Sequence, residues 1–244
     1  MKDESLDALN LKYWVATNTE QQLAGLCVPE KEFFDVVAPS ARVLDVGCGA
    51  GVVASLLTEK GYIVSGVDIN PNAVRVCTEK VGTEGTCVVG NITKEIPFPD
   101  ETFDAVVVAF VLVSVIDAEL CARVVQEIER ILAPGGTVWV AEAGYSPDYA
   151  HRYEEGKKLT NRDGIALAED PKTGAIHRVI HHYTPKELDN LFSSFSCTHA
   201  EERRVTSPHS GSIVNTLVRM YKKPNKNITR SIFSFFTSLF SKKG

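Results

Sequence analysis

Arg42-Val-Leu-Asp-Val-Gly47-Cys-Gly49-Ala-Gly51 begins as a strand and ends in a turn. Val43, Leu44 and Val46 put apolar side chains on both faces, as a strand covered on both sides requires. Glycines then stand at 47, 49 and 51. A turn of that density demands backbone angles that a Cβ opposes, and it lets the chain lie against a ligand where side chains leave no room. The spacing from Val52 to Lys60 predicts a helix, closed by Gly61 in the place of a left-handed C′ residue. Strand, glycine turn and helix make the first half of a βαβ unit.

The pattern repeats outward. Tyr62 to Val67 reads as a second strand, and Asn70-Pro71 as an N-cap and first helical residue of a helix to Lys80. Thr86 to Val89 and Phe103 to Phe110 read as the third and fourth strands. Asp117 caps a helix to about Leu132, Pro134-Gly-Gly136 breaks it, and Thr137 to Ala141 is the fifth strand. This alternation predicts an α/β fold with a Rossmann-like, doubly wound parallel sheet. Gly144 to Tyr183 is polar and tyrosine-rich, with breaks at Pro147, Gly156, Gly164, Pro171 and Gly174, and reads as a lid inserted after strand five. Thr184-Pro-Lys-Glu187 is a capping box that restarts a helix. Thr198 to Val205 and Ser212 to Tyr221 follow as strands, separated only by a short linker with Pro208 and Gly211. They should pair as an antiparallel hairpin at the sheet's edge.

The expected organisation is a helical cap over 1–40, the domain over 41–224 with its lid at about 144–183, and an amphipathic tail over 225–244. In the cap, Tyr13, Trp14, Leu23, Leu26, Phe33 and Phe34 are suited to cover one end of the sheet. In the tail, Ile228, Ile232, Phe233, Phe235, Phe236, Leu239 and Phe240 share a helical face flanked by lysines. That pattern fits peripheral contact with a membrane surface, self-association, or docking on the domain itself.

Composition removes whole classes. The 244 residues carry a net charge of −5, which argues against a phosphate-tracking surface, so no nucleic-acid partner is expected. The six cysteines form no Cys-x-x-Cys pair, so neither a metal site nor a disulfide framework is expected. The start, Met1-Lys-Asp-Glu-Ser5, has no apolar leader, and no run is long and apolar enough to span a bilayer. A cytoplasmic protein, at most peripheral at a membrane, is the expectation.

Asp68 ends the second strand 19 residues beyond Gly49, where a carboxylate can accept both hydroxyls of a ribose. A dinucleotide fingerprint reads G-x-G-x-x-G, whereas Gly47, Gly49 and Gly51 read G-x-G-x-G. The loop therefore suits an adenosine cofactor whose next group is smaller and carries no phosphate. The blocks Val43–Gly51, Val67-Asp-Ile-Asn70, Gly90-Asn91, Pro97–Asp104, Leu132–Gly136 and His182–Leu188 stand in an order and spacing that resembles the class I S-adenosylmethionine-dependent methyltransferases of the ubiquinone/menaquinone-biosynthesis-like group. The resemblance runs from about residue 41 to 192. It implies a seven-stranded sheet with an antiparallel last strand, S-adenosyl-L-methionine as cofactor, and in-line methyl transfer to a small-molecule acceptor.

The same resemblance implies site roles. Gly47, Cys48 and Gly49 would line the methionine and ribose part of the cofactor, with Asp45 steadying the loop. Asp68 would hold the ribose, Ile69 the adenine face, Asn91 the adenine amine and the Ile92 N–H a ring nitrogen. Phe110 would lie near the sulfonium. Asn91 stands where the family usually has aspartate, and an amide oxygen can still accept. The stretch after strand four, Ala109–Val115, lacks the Asn-Pro-Pro-Tyr pattern that grips planar amide nitrogens.

His181 and His182 are candidate general bases, although adjacent residues of an extended segment face opposite ways and the simpler expectation is surface or strand-face histidines. Tyr13, Trp14, Tyr145, Tyr149 and Tyr153 are candidates for the acceptor pocket. Rival readings are an RNA or protein methyltransferase, a non-catalytic module that binds the cofactor, and a nicotinamide oxidoreductase on the same fold.

Overall fold

The computed structural model describes residues 5–17, 27–169, 173, 175–206 and 213–225. Helices α1 (Leu6–Ala16) and α2 (Lys31–Phe34) precede β1 (Arg42–Val46). The alternating part runs α3 (Val52–Glu59), β2 (Ile63–Asp68), α4 (Pro71–Val81), β3 (Cys87–Val89), β4 (Phe103–Ala109), α5 (Ala118–Ile131) and β5 (Leu132–Ala143). Then come α6 (Ala150–Thr160), β6 (Ile165–Glu169), β7 (Ile176–His181), α7 (Pro185–Leu191), β8 (Ser196–Thr206) and β9 (Ile213–Lys222). Local chemistry sets the starts: Asn70 accepts from the N–H groups of Asn72 and Ala73, Asp117 from those of Glu119 and Leu120, and Thr184 and Glu187 form the reciprocal capping box.

Seven strands form one sheet in the order β3-β2-β1-β4-β5-β9-β8. The pairs from β3 through β5 are parallel, and β9 runs antiparallel to both neighbours. The antiparallel strand thus lies one place in from the edge, which β8 occupies. Helices cover both faces, so successive strand residues enter two cores. Leu44, Val46, Val106, Val108, Val138 and Val140 pack under α5 and α7. Val43, Ala105, Val107 and the fully buried Trp139 pack under α2, α3 and α4. This is why the strands read as continuous apolar runs.

Two differences from the sequence reading have local causes. β5 starts at Leu132 rather than Thr137. The chain leaves α5 directly into the strand, and the irregular register between Phe103 and Ala105 absorbs Pro134-Gly-Gly136. The stretch from Gly144 to Tyr183, to which the sequence assigned no element, holds α6 and the antiparallel β6–β7 hairpin. The hairpin has a small core of its own in Ile116, Ile165, Leu167 and Val179.

Helix α1 docks on that hairpin. Asn10 is buried; its Nδ2 donates to the carbonyls of Ser114 (2.7 Å) and Val179 (2.8 Å), and its Oδ1 accepts from the Val179 N–H (2.8 Å). Asp7 accepts from the N–H groups of Ile116 and Asp117. Leu23, Leu26 and the tail from residue 226 lie outside the described residues. Among the described residues no helix is long and apolar enough to cross a membrane.

Candidate functional site

At the carboxyl ends of β1, β2 and β4 the chain encloses a cavity of about 530 Å³, roofed by α1 and walled on its far side by α6 and the β6–β7 hairpin. That position is where open α/β sheets bind ligands, and the volume lies in the range of about 300–1,000 Å³ usual for small-molecule sites.

The floor is the glycine loop. Gly47, Gly49 and Gly51 all have positive φ. A Cβ at Gly47 would lie 2.4 Å from Cγ2 of Val111, so a side chain is excluded there by protein packing as well as by backbone angle. The N–H groups of Gly47 and Cys48 both donate to the Val67 carbonyl, at 2.7 and 3.1 Å, which ties the loop to the end of β2. Beside it, the Asp68 carboxylate accepts from the Gly49 N–H through Oδ2 (2.9 Å) and from the Asn70 N–H through Oδ1 (2.8 Å). Each oxygen is held by one amide and keeps lone-pair capacity for a ligand. Burial raises the Asp68 carboxyl above its ordinary value, against the pull of those amides.

Asp45 lies beneath the loop, buried, with Oδ2 unpartnered. Burial, then the charge of Asp68, pushes its carboxyl up to about 8. Cys48 turns away from solvent toward Cys77 and Cys87. The three sulfurs lie within 4.8 Å of one another, the one group with metal-ligand proximity among the described residues. No side chain fits opposite them, since a Cβ at Gly66 would lie 2.8 Å from the Cys48 sulfur.

Ile69, Asn91, Ile92 and Phe110 complete the near wall. Asn91 Oδ1 already accepts from the Thr93 N–H (3.0 Å) and hydroxyl (2.8 Å), so the hydroxyl must turn away before that oxygen accepts from a ligand. Phe110 sits at φ 55 with its N–H on the Ala141 carbonyl. A non-glycine residue in this region is strained and persists where its surroundings fix it. They do so through Glu142, fully buried, whose carboxyl accepts from the N–H groups of Val111, Leu112 and Val113 at 3.0, 2.8 and 3.1 Å. Burial pushes that carboxyl up to about 8 although the three amides pull it down.

The structure divides the other candidates. Trp14 lines the cavity, its indole N–H on Ser114 Oγ (3.0 Å) and its carbonyl accepting from Asn70 Nδ2 (2.9 Å). Tyr149 and His182 also line it. Tyr13 does not; it stands behind Trp14, with ring centroids 5.1 Å apart. Tyr145 is exposed and stacks on Tyr153.

Of the surface and strand-face positions expected for the histidines, the structure gives the strand face: His181 ends β7, His182 follows it directly, and both are buried. His182 Nδ1 meets the Tyr153 hydroxyl at 2.7 Å. Burial, then the neighbouring His181, Arg152 and Arg178, lowers its pKa to about 4, so it is neutral at pH 7. His181 packs on Tyr183 outside the cavity, with both ring nitrogens unbonded and its pKa lowered to about 4, first by burial.

The sequence reading missed Asn10, Glu142, Arg152 and Arg178. Two had a signal: Glu142 is a carboxylate closing an otherwise apolar strand, and Arg178 sits inside the strand-like run Ile176-His-Arg-Val-Ile180.

Residues 44–140 match the family model described as "Methyltransferase domain". The chain is 34% identical over 114 residues to the ubiquinone/menaquinone biosynthesis C-methyltransferase UbiE of Vibrio vulnificus, a match covering 43% of this chain and 42% of that protein. It is 32% identical over 108 residues to the demethylmenaquinone methyltransferase of Tropheryma whipplei, covering 43% of each. The chain thus spans less than half the length of the curated relatives it matches. A crystal structure of a SAM-dependent methyltransferase from Methanosarcina mazei superimposes with a TM-score of 0.75 at 28% identity, covering 82% of this chain and 100% of that one.

Proposed function

We propose that this chain, a member of the class I S-adenosylmethionine-dependent methyltransferases, transfers the methyl group of that cofactor to a small-molecule acceptor. One observation carries the reading. Asp68 is fixed by two backbone amides, one from the glycine loop itself, at the edge of a cavity floored by Gly47 and Gly49. A carboxylate so held has its ribose-accepting geometry before the ligand arrives. In the proposed arrangement Gly47, Cys48 and Gly49 lie along the methionine side, Ile69 covers the adenine, and Asn91 and the Ile92 N–H meet its edge. Asp45 supports the loop from below and Phe110 closes on the reacting end. The bound sulfonium supplies an electrophilic methyl whose departing thioether needs no proton, so this chain's task is chiefly positioning.

The acceptor's space is the far side of the cavity, against Trp14, Tyr149, Ala166, Ile180 and His182. Its size favours a small molecule over RNA or protein, and the small-molecule methyltransferases among the relatives support this. His182 is the better placed of the two candidate bases, with Nδ1 engaged by Tyr153 and Nε2 left for the acceptor. Held near pKa 4, it is too weak to deprotonate an alcohol. That favours an enolic, phenolic or carboxylate acceptor, which needs little help in losing its proton.

Calorimetric titration with S-adenosylhomocysteine tests the reading. Asp68→Ala removes two charge-assisted hydrogen bonds to the ribose, each about 1.5–3 kcal/mol, so affinity should fall at least tenfold. Absence of binding to the intact chain refutes the reading.

A further inference from the structure

The far wall of the cavity carries positive charge that no carboxylate balances among the described residues. Arg178 on β7 and Arg152 on α6 both line the cavity, and both lie close enough to His182 to depress it. Three other arginines withdrawn from solvent hold carboxylates: Arg130 holds Glu127, Arg203 holds Glu32 and Glu201, and Arg219 holds Asp189, while Arg162 donates to the Ile116 carbonyl. Arg178 holds none among the described residues, and its Nε is buried without a hydrogen-bond partner. What it has instead is aromatic faces, with its guanidinium 5.0 Å from the Tyr13 ring and 5.5 Å from the Trp14 ring. Three carboxylates also line the cavity and are engaged elsewhere or uncharged: Asp7 accepts from the N–H groups of Ile116 and Asp117, Asp68 from those of Gly49 and Asn70, and Asp45, under the glycine loop, is pushed up to about 8 by burial and stays protonated at pH 7. A half-buried guanidinium whose Nε is shut off from water and that has no counter-charge is costly, and a ligand anion in this cavity would complete it.

We propose that Arg178, with Arg152 at the mouth, forms an anion site that holds a carboxylate of the methyl acceptor. This rests on the reading above, in which the near side of the cavity takes the cofactor. The guanidinium fork matches the two oxygens of a carboxylate, and the Tyr13 and Trp14 faces fix the plane of that fork. This also gives Tyr13, which lies outside the cavity, a positioning role. A carboxylate seated there offsets the arginine charges that weaken His182, so an acceptor of this class restores basicity to the nearest proton acceptor. The methionyl carboxylate of the cofactor has the same chemistry, and the test separates the two sources.

The test uses the full chain, saturated with S-adenosylhomocysteine, titrated with benzoate, salicylate and cinnamate beside their amides and followed by ligand NMR. The carboxylates should bind and the amides should not. Arg178→Met should weaken the carboxylates at least tenfold, leave S-adenosylhomocysteine unchanged and melt no lower than wild type. Arg178→Lys should restore part of the affinity. Equal binding of acids and amides, or acid binding indifferent to Arg178→Met, overturns the proposal. So does an Arg178→Met variant that binds S-adenosylhomocysteine more weakly but 5′-methylthioadenosine as before, because the guanidinium then serves the cofactor's carboxylate. The acids are also titrated without S-adenosylhomocysteine. Arg178-dependent binding of acids to a chain that does not bind S-adenosylhomocysteine leaves the anion site standing and removes the methyltransferase reading.

Discussion

Replacing Glu142 by glutamine tests how the wall after β4 is held. The three amides on its carboxyl belong to Val111, Leu112 and Val113, the turn that follows Phe110. Glutamine keeps one oxygen for Val111 and Leu112 but sets an NH2 against the Val113 N–H. One hydrogen bond is lost and a buried donor faces another donor, together about 2–4 kcal/mol. The pH dependence has a definite sign. Glu142 is pushed from an ordinary 4.5 up to about 8, so between those values the native state keeps a proton that the unfolded chain has released. The stabilisation from that proton is complete below 4.5 and is lost as pH rises through 8, at about 1.4 kcal/mol per pH unit and at most about 5 kcal/mol in all. Glutamine does not titrate. Urea unfolding at pH 5.5, 7 and 8.5 should therefore show the variant weaker by about 2–4 kcal/mol at the lowest pH, with the gap nearly closed at the highest. Asp45 titrates in the same window but in both proteins, so it drops out of the difference. A gap that stays constant with pH refutes the burial argument, and no gap at any pH refutes the hydrogen-bond argument.

Gly47→Ala combines a positive φ with a Cβ 2.4 Å from Val111, so it should cost about 2–4 kcal/mol and abolish S-adenosylhomocysteine binding at concentrations that saturate wild type. Retained affinity would mean that the loop is free to re-form. Asn10→Ala strips three hydrogen bonds that pin α1 to Ser114 and Val179, a loss of about 2–3 kcal/mol. Amide exchange over 6–16 should accelerate while the strands stay protected; unchanged exchange would show that α1 is held by other contacts.

The alternating half of the molecule was legible because each strand there is buried on both faces and each helix start carries its own cap. Asn70-Pro71 and Thr184-Pro-Lys-Glu187 announce their helices without tertiary help. The glycine loop and Asp68 were legible for the same reason, since the constraints lie within a few residues of one another. The stretch after β5 was not. Its hairpin buries only a few side chains, and its partners Leu6, Leu9 and Ile116 come from distant parts of the chain. For His181 and His182 the choice between surface and buried strand face stayed open, because nothing local announces that Tyr183 and Tyr153 will pack against them. Arg178 is the sharpest case: an arginine in a strand reads as solvated, and only the enclosure around it turns it into an unbalanced charge.

The place of β9 also fixes an order in time. β5 and β8 never pair with each other; β9 lies between them, and Thr137 of β5 finds its partner at Lys222. A chain growing from its amino end completes β5 and must then carry an open, apolar strand edge through everything from Gly144 to the start of β9. An uncovered edge of that kind invites pairing with other chains. The hazardous interval of biosynthesis is therefore the one in which the acceptor wall is being made. A chain interrupted there ends as an open sheet rather than as a smaller working domain.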